Sequence, residues 1–389
     1  MCYYIANGGG LVKSVGIICE YNPFHNGHLL HIQKVKEMFP NHLITLVLSP
    51  SFTERGEVSI INKWDKTRIA LEAGVDLVLE LPFPFATQSA DLFAKGSVQI
   101  LEYVGCEYLI FGSESNNIDL LNNLANIQLN NTKYDKLVTA YLKEGVNYPT
   151  ALSKALKTIT KTNITEPNDL LGLSYVREIK KYNFKIIPVT IQRTNDYHDL
   201  KTSSNIVSAS AIRNLIIQNK DINDFVPSYV PQYIKYNSYQ EKLFKLLKYK
   251  IISDNNLNIY QTVDEGIENR IMNNIQKSSN LKELIQNIKT KRYTYNKISR
   301  ILIHILCSFT KDQASKMKDI EYIRVLGFNK KGQTYLNQIK KNSIVRIITN
   351  CKAVDNEMLS LEHKISDIYN LITDNSFKDK LEKPIIKED

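Results

Sequence analysis

Two imidazoles flank a glycine in His25-Asn26-Gly27-His28, soon after an apolar run, Val15 to Cys19, that stops at Glu20. Asn22-Pro23 cannot continue a central strand. Leu29, Ile32, Val35 and Met38 then recur at helical spacing. The pattern puts both histidines where a strand hands over to a helix N-terminus. That end of a helix carries partial positive charge and unpaired amides, which favour an anion such as a nucleotide phosphate. Gly27 lets a phosphate approach the backbone with no Cβ in the way. The imidazoles can donate hydrogen bonds to phosphate oxygens and steady charge on a departing pyrophosphate. A lone histidine at a helix start is commonly a cap or a solvated side chain. A pair around a glycine, after a strand and a proline-broken loop, points instead to phosphate binding.

Three other places could do chemistry or bind a charged partner. Ser208-Ala209-Ser210-Ala211-Ile212-Arg213 opens a helix. Serines there are ordinary caps in most proteins, yet with Arg213 one turn on they could equally hold the β- and γ-phosphates of a nucleotide. In Pro167-Asn168-Asp169, which opens a helix from Leu170 to Lys181, Asn168 or Asp169 reads first as an N-cap. Lys289 to Arg300 (KTKRYTYNKISR) interleaves Lys289, Lys291, Arg292, Lys297 and Arg300 with Tyr293 and Tyr295. Cations for phosphates and flat rings for unstacked bases suit single-stranded or loop RNA. The plainer alternative is a helix with tyrosines packed inward and its basic residues in water.

The elements needed to position these residues alternate through the first half. Apolar strands are expected at Val15–Cys19, His42–Leu48, Asp76–Leu81, Tyr108–Phe111 and Phe184–Ile191, with helices at Lys63–Ala73 and Ser89–Tyr103 and mostly helix over 118–182. That alternation predicts a Rossmann-like α/β fold, a parallel sheet covered on both faces. Ligands bind such sheets beyond the C-terminal strand edge, here the loops His25–His28, Ser49–Gly56, Pro82–Thr87 and Gly112–Glu114, with Gln192-Arg193 delivered to the same edge. Asp221 to Pro231, with two prolines, reads as a boundary. The expected division is an extension over 1–13, a nucleotidyltransferase-like ATP-binding domain over 14–225 and a mainly α-helical, basic domain over 226–389.

Charge supports a division of labour. Residues 1–200 hold 19 Lys+Arg against 20 Asp+Glu, and residues 201–389 hold 31 against 20. Between Arg270 and Arg346 the count is 17 basic to 4 acidic. Such asymmetry suggests a polyanion partner, most simply a nucleic acid. The 389 residues, 43% hydrophobic, suffice for two or three cored domains. No apolar run reaches the roughly 18 residues a membrane span needs, so no membrane partner is expected. The N-terminus lacks an export signal, and Met1 to Gly10 reads as the loose piece an early start codon would add. Five scattered cysteines without a C-x-x-C pair argue for a reducing cytoplasm and against a zinc site.

Longer stretches sharpen the reading. They are GIICEYNPFHNGHLLH (Gly16–His31), FTERGEVSIINKWDKTRIAL (Phe52–Leu71), GVDLVLELPFPFA (Gly74–Ala86), FGSE (Phe111–Glu114), PNDLLGLSY (Pro167–Tyr175), SASAIR (Ser208–Arg213) and KTKRYTYNKISRIL (Lys289–Leu302). With them the chain resembles the tRNA(Met) cytidine acetate ligase family, within the nucleotidyltransferases that carry an H-x-G-H motif. It departs from the family's pattern at Pro50 and at Val58-Ser59. The resemblance implies an enzyme that uses ATP, with Mg2+ accompanying it, and acetate to make N4-acetylcytidine at the wobble position of elongator tRNA(Met). It implies ATP contacts at Ile18, Cys19, Glu20, Tyr21, Asn22, Pro23, Phe24, His25, Asn26, Gly27, His28, Leu29, Leu30, His31, Gly112, Asn168 and Arg193. The residues add Ser208, Ser210 and Arg213 as phosphate contacts, His25 and His28 as catalytic groups and the 289–300 segment as the tRNA contact. The rivals are a nucleotidyltransferase that adenylates a small phosphorylated metabolite, and a non-catalytic RNA-binding protein on the same scaffold.

Overall fold

The computed structural model describes residues 12–193, 205–235, 239–341 and 343–388. Along the chain run β1 (Lys13–Cys19), α1 (Asn26–Met38), β2 (His42–Leu48), α2 (Lys63–Glu72), β3 (Leu77–Glu80), α3 (Phe83–Ala86), α4 (Ala90–Tyr103) and β4 (Tyr108–Ser113). Then come α5 (Ile118–Asn130), α6 (Thr132–Lys143), α7 (Tyr148–Thr160), α8 (Pro167–Lys181), β5 (Ile187–Gln192) and α9 (Ala209–Ile217). The remainder holds α10 (Tyr239–Ser253), α11 (Ile267–Ile275), α12 (Leu281–Ile288), α13 (Tyr295–Leu306), α14 (Lys311–Lys316), β6 (Tyr322–Asn329), α15 (Lys330–Ile339), β7 (Arg346–Ile348), α16 (Glu357–Thr373) and β8 (Ile385–Lys387). Two residues of the expected extension belong to the fold, since Val12 donates to Gln338 and Lys13 opens β1. Residues 1–11 lie outside the described residues.

The sheet runs β5-β4-β1-β2-β3-β6-β7, with β8 also on β6. β1 to β5 are mutually parallel, whereas β6 runs antiparallel to β3. The central strands β1 to β4 are largely buried on both faces, so they read as continuous apolar runs. In β2, Ile44 and Leu46 join the core under α1 and α2, while Leu43 and Val47 join the core that includes α4 and the later helices. Strand order reverses direction at β1, which has β4 on one side and β2 on the other. A ligand crevice is expected beyond the C-terminal end of such a strand.

The later half is mainly helical, as expected, but it also contributes strands. β6 (YIRVLGFN) completes the sheet against β3, and the sheet is therefore not confined to residues 14–225. A buried ion cluster fastens it there. Lys63 on α2 lies 2.8 Å from Asp379 and also contacts Glu80 on β3, while Arg324 on β6 reaches Asp379 at 2.6 Å and Glu80 at 3.2 Å. Burial lifts the Asp379 carboxyl, but Lys63 and Arg324 outweigh it and hold it well below the usual carboxylate range. Glu362 on α16 accepts from Phe83 N–H at 2.8 Å, and the Tyr369 hydroxyl donates to Ser59 O at 2.7 Å. The C-terminal helix thus pins the loops after β2 and β3.

Candidate active site

His25 is the N-cap of α1, and its ring nitrogen Nδ1 accepts the Gly27 N–H at 3.1 Å. One turn on, His28 Nδ1 accepts the His25 N–H at 3.2 Å. The result is a reciprocal cap of the kind usually built from Ser/Thr and Glu, made here from two histidines. Both Nδ1 atoms act as acceptors, so the ring proton of each neutral imidazole is placed on Nε2. The rings stack, 3.7 Å between centroids. A Cβ on Gly27 would lie 2.9 Å from His25 Cε1. Gly27 is therefore required by the stacked cap itself, a reason its sequence context does not reveal. Burial, and secondarily the Arg193 charge, push His25 down to about 4. Burial, then His25 and Arg193, hold His28 well below its usual value, and burial with Arg193 pushes His31 down to about 4. At neutral pH these rings are uncharged hydrogen-bond donors.

Gly112, Asn168 and Arg193, the other residues that the resemblance implied, meet beside this helix start. Arg193 Nη1 donates to Asn168 Oδ1 at 3.2 Å, and its Cγ lies 3.1 Å from where a Cβ on Gly112 would be. Glu114 organises the group. Its carboxylate takes the Asn168 side-chain amide and the Asp169 N–H (3.0 Å), and stands 4.0 Å from Arg193. Asp169 in turn accepts from Ser113 Oγ (2.5 Å) and Ser115 N–H (3.0 Å). Glu114 and Asp169 were visible only as members of the FGSE and PND stretches; their spacing of more than 50 residues hid the pairing.

The segment before α9 lies against the histidine motif, since Asn26 donates to Asn205 O at 2.9 Å. Ser208 Oγ caps α9 by accepting from Ala211 N–H (3.2 Å) and contacts Ser210 Oγ (3.0 Å). The phosphate grip expected of Arg213 is corrected. Its guanidinium donates to Asn22 O and Glu57 Oε2, both at 2.7 Å, and so ties the loop after β1 to the loop after β2.

That second loop is the main surprise. Glu54 N–H donates to Glu20 Oε1 at 2.6 Å, and Lys66 Nζ donates to Glu20 O (3.0 Å) and Ser49 O (2.6 Å). Burial raises the Glu20 carboxyl to about 7 against the opposing Glu54 hydrogen bond, and lowers Lys66 to about 7. On its outer side the loop is held by α13: Arg300 donates to Glu54 O (3.1 Å) and Glu54 Oε1 (3.0 Å), and Ser299 Oγ to Gly56 O (2.8 Å). Arg300 is therefore a fastener rather than an RNA contact. Tyr293 is buried too, with its hydroxyl on Asp264 O at 2.6 Å and Lys297 over its ring at 4.1 Å, so it is no stacking platform. Arg292 pairs with Glu265 at 2.6 Å. Lys289, Lys291 and Tyr295 are exposed.

The HIGH Nucleotidyl Transferase family matches residues 12–383. The tRNA(Met) cytidine acetate ligase of Oceanobacillus iheyensis is 37% identical over 96% of this chain and 100% of its own length. That of Clostridium perfringens is 40% identical over 92% and 94%. The chain belongs to the tRNA(Met) cytidine acetate ligase family. Like the family's other members it is an enzyme, a ligase. The Thermotoga maritima TmcAL structure superposes with a TM-score of 0.89 at 28% identity, over 97% of this chain and 100% of that one. A second form of the T. maritima protein, bound with alpha-thio ATP, gives 0.88 at 28% identity over the same shares. No helix among the described residues is long and apolar enough to cross a membrane.

Proposed function

We propose that this ligase binds ATP at the His25–His31 helix start, joins acetate to it and acetylates N4 of the wobble cytidine of elongator tRNA(Met). The observation that carries the reading is the paired-histidine cap, which presents two Nε2–H donors at the sheet's switch point beside Asn168 and Arg193. A carboxylate oxygen of acetate attacks the α-phosphorus of ATP, the bond to the β-phosphate oxygen breaks, and pyrophosphate leaves. His25, His28 and the α1 amides stabilise the charge that develops and hold the phosphates in line. Ser208 and Ser210, brought beside the motif by the Asn26–Asn205 bond, are the further phosphate contacts. The cytidine amine then attacks the acetyl carbon of the mixed anhydride, AMP leaves with the bonding pair, and the amine proton is lost. The cytidine must be splayed out of its loop to reach this edge, and the exposed Lys289 and Lys291 hold the RNA that presents it.

Magnesium has no protein cage here. Among the described residues no group of three His, Cys, Asp or Glu side chains is placed to hold a metal ion, and Glu114 and Asp169 are taken up by backbone, amide and hydroxyl donors. Magnesium would travel on the ATP phosphates, and no step is assigned to it. A tRNA substrate and the unpaired Cys19, Cys106, Cys307 and Cys351 favour a cytoplasmic setting.

The test is incubation with labelled acetate, ATP and total tRNA, followed by digestion to nucleosides. Label in N4-acetylcytidine is expected. Label absent from RNA, with nucleotide transferred instead to a phosphorylated small molecule, would overturn the reading in favour of the metabolite-adenylating rival.

A further inference from the structure

The first half of the chain is slightly acidic overall, yet it contains an exposed basic stretch. Residues 131–161 carry Lys133, Lys136, Lys143, Lys154, Lys157 and Lys161 against Asp135 and Glu144, while the rest of 1–200 holds 13 basic and 18 acidic residues. All six lysines are exposed. Among the described residues none of the six pairs with a carboxylate, whereas Lys95, Lys245, Lys250 and Lys311 each hold one. The arrangement is one-sided. At roughly 100° per residue the α6 lysines fall within about 80° of one another, and Lys154 and Lys157 of α7 within about 60°. Tyr134 and Val138 of α6, and Ala151, Ala155 and Leu156 of α7, form the buried faces. Lys154 also lies over the Tyr141 ring at 5.3 Å.

We propose that the α6–α7 hairpin is a second contact for the phosphate backbone of the RNA substrate, on the side of the nucleotide site opposite Lys289 and Lys291. This rests on the RNA-acetylating reading above. The sheet order supplies the geometry: β4 and β5 lie on one side of β1, β2 and β3 on the other. α8 follows the hairpin, packs Tyr175 edge-on against Phe111 of β4 (5.6 Å between centroids), and carries Asn168 at its start. Lys161 precedes Asn168 by seven residues, so the chain keeps it within about 25 Å of the site. Across β1, the Arg300–Glu54 pair fastens the C-terminal basic segment to the loop after β2. An RNA loop with its target base over the end of β1 has unpaired lysines on both sides.

Two triple variants test this: Lys154→Gln with Lys157→Gln and Lys161→Gln, and Lys133→Gln with Lys136→Gln and Lys143→Gln. Binding of tRNA is measured across salt concentrations, and acetate-dependent pyrophosphate exchange without tRNA reports the ATP site and the fold. For at least one set, affinity should fall about tenfold or more and the salt slope by about one for each phosphate no longer neutralised, with exchange unchanged and binding restored by the Lys→Arg counterpart. Unchanged affinity and slope in both sets would overturn the hairpin's role. So would weakened binding to heparin or acidic vesicles with tRNA binding intact. If the unaltered protein binds no tRNA while the exchange reaction runs, the RNA reading itself fails.

Discussion

The imidazoles of His25 and His28 stack 3.7 Å apart while His28 Nδ1 accepts the His25 backbone N–H at 3.2 Å. One hydrogen bond therefore both caps a helix and sets which nitrogen of His28 carries the proton. His28→Ala removes one ring donor of the proposed phosphate site and half of the cap. Acetate-dependent pyrophosphate exchange should fall at least about a hundredfold, while tRNA affinity is retained and stability drops by about 1 kcal/mol. Exchange kinetics, RNA binding and urea denaturation measure the three separately. Loss of RNA binding alone would contradict the assignment.

Proton uptake should accompany ATP binding. His25 and His31 sit at about 4 without ligand, and bound phosphate charge favours the protonated form and raises them. Between roughly pH 4 and pH 7 the complex then holds more protons than the free enzyme, so ATP affinity rises as pH falls through this range. Calorimetry in two buffers of different ionisation enthalpy should show the uptake, and it should shrink in His25→Asn.

Glu20 gives a stability signature of the same sign. Its folded value of about 7 lies above the roughly 4.3 of an unfolded glutamate, so the folded state holds the proton more tightly. The associated stability is full below about pH 4.3 and is lost as pH rises through about 7. Glu20→Gln should remove this dependence. The difference in melting temperature between variant and wild type should therefore widen from pH 5 to pH 8 in the variant's favour.

The loop after β2 should fail as a unit. Gly56 has φ +75°, and a Cβ there would lie 2.5 Å from the Arg300 backbone nitrogen. Gly56→Ala must strain the loop or lift it off α13, costing about 1 kcal/mol or more. Because the Glu54 backbone reaches Glu20, the Michaelis constant for ATP should rise even without tRNA. Arg300→Ala should shift it the same way, and Arg300→Lys should recover part of the loss.

Arg324 is the sharpest stability test. Arg324→Met leaves Glu80 and Asp379 buried with one cation fewer, a loss of about 3–5 kcal/mol. Denaturation at neutral pH should show it. The Asp379 contribution, present above about pH 3.9 and lost as pH falls below it, should be smaller in the acid limb of the stability profile, with Lys63 still beside the carboxyl.

The parallel half of the sheet, the helix start with its two histidines and the meeting of Gly112, Asn168 and Arg193 were legible because each rests on local pattern: apolar runs between helices, a broken strand, and stretches matching a family. β6 was not legible, because a fully buried antiparallel strand among helices carries no periodic signal that separates it from a buried helix segment. Nor were the partners of Arg213, Arg300 and Tyr293, which look like ligand-facing groups until their carboxylate and carbonyl acceptors, 29 to 246 residues away, are seen.

What the chain alone determined is local: which residues turn, cap and alternate, and hence a helix start bearing two histidines on a parallel sheet. Only the tertiary structure decided which charges are spent inside the protein and which are left for a partner. A charge is committed or free according to its spatial neighbours, and those neighbours are set by packing between elements far apart in sequence, a quantity that composition and spacing do not contain.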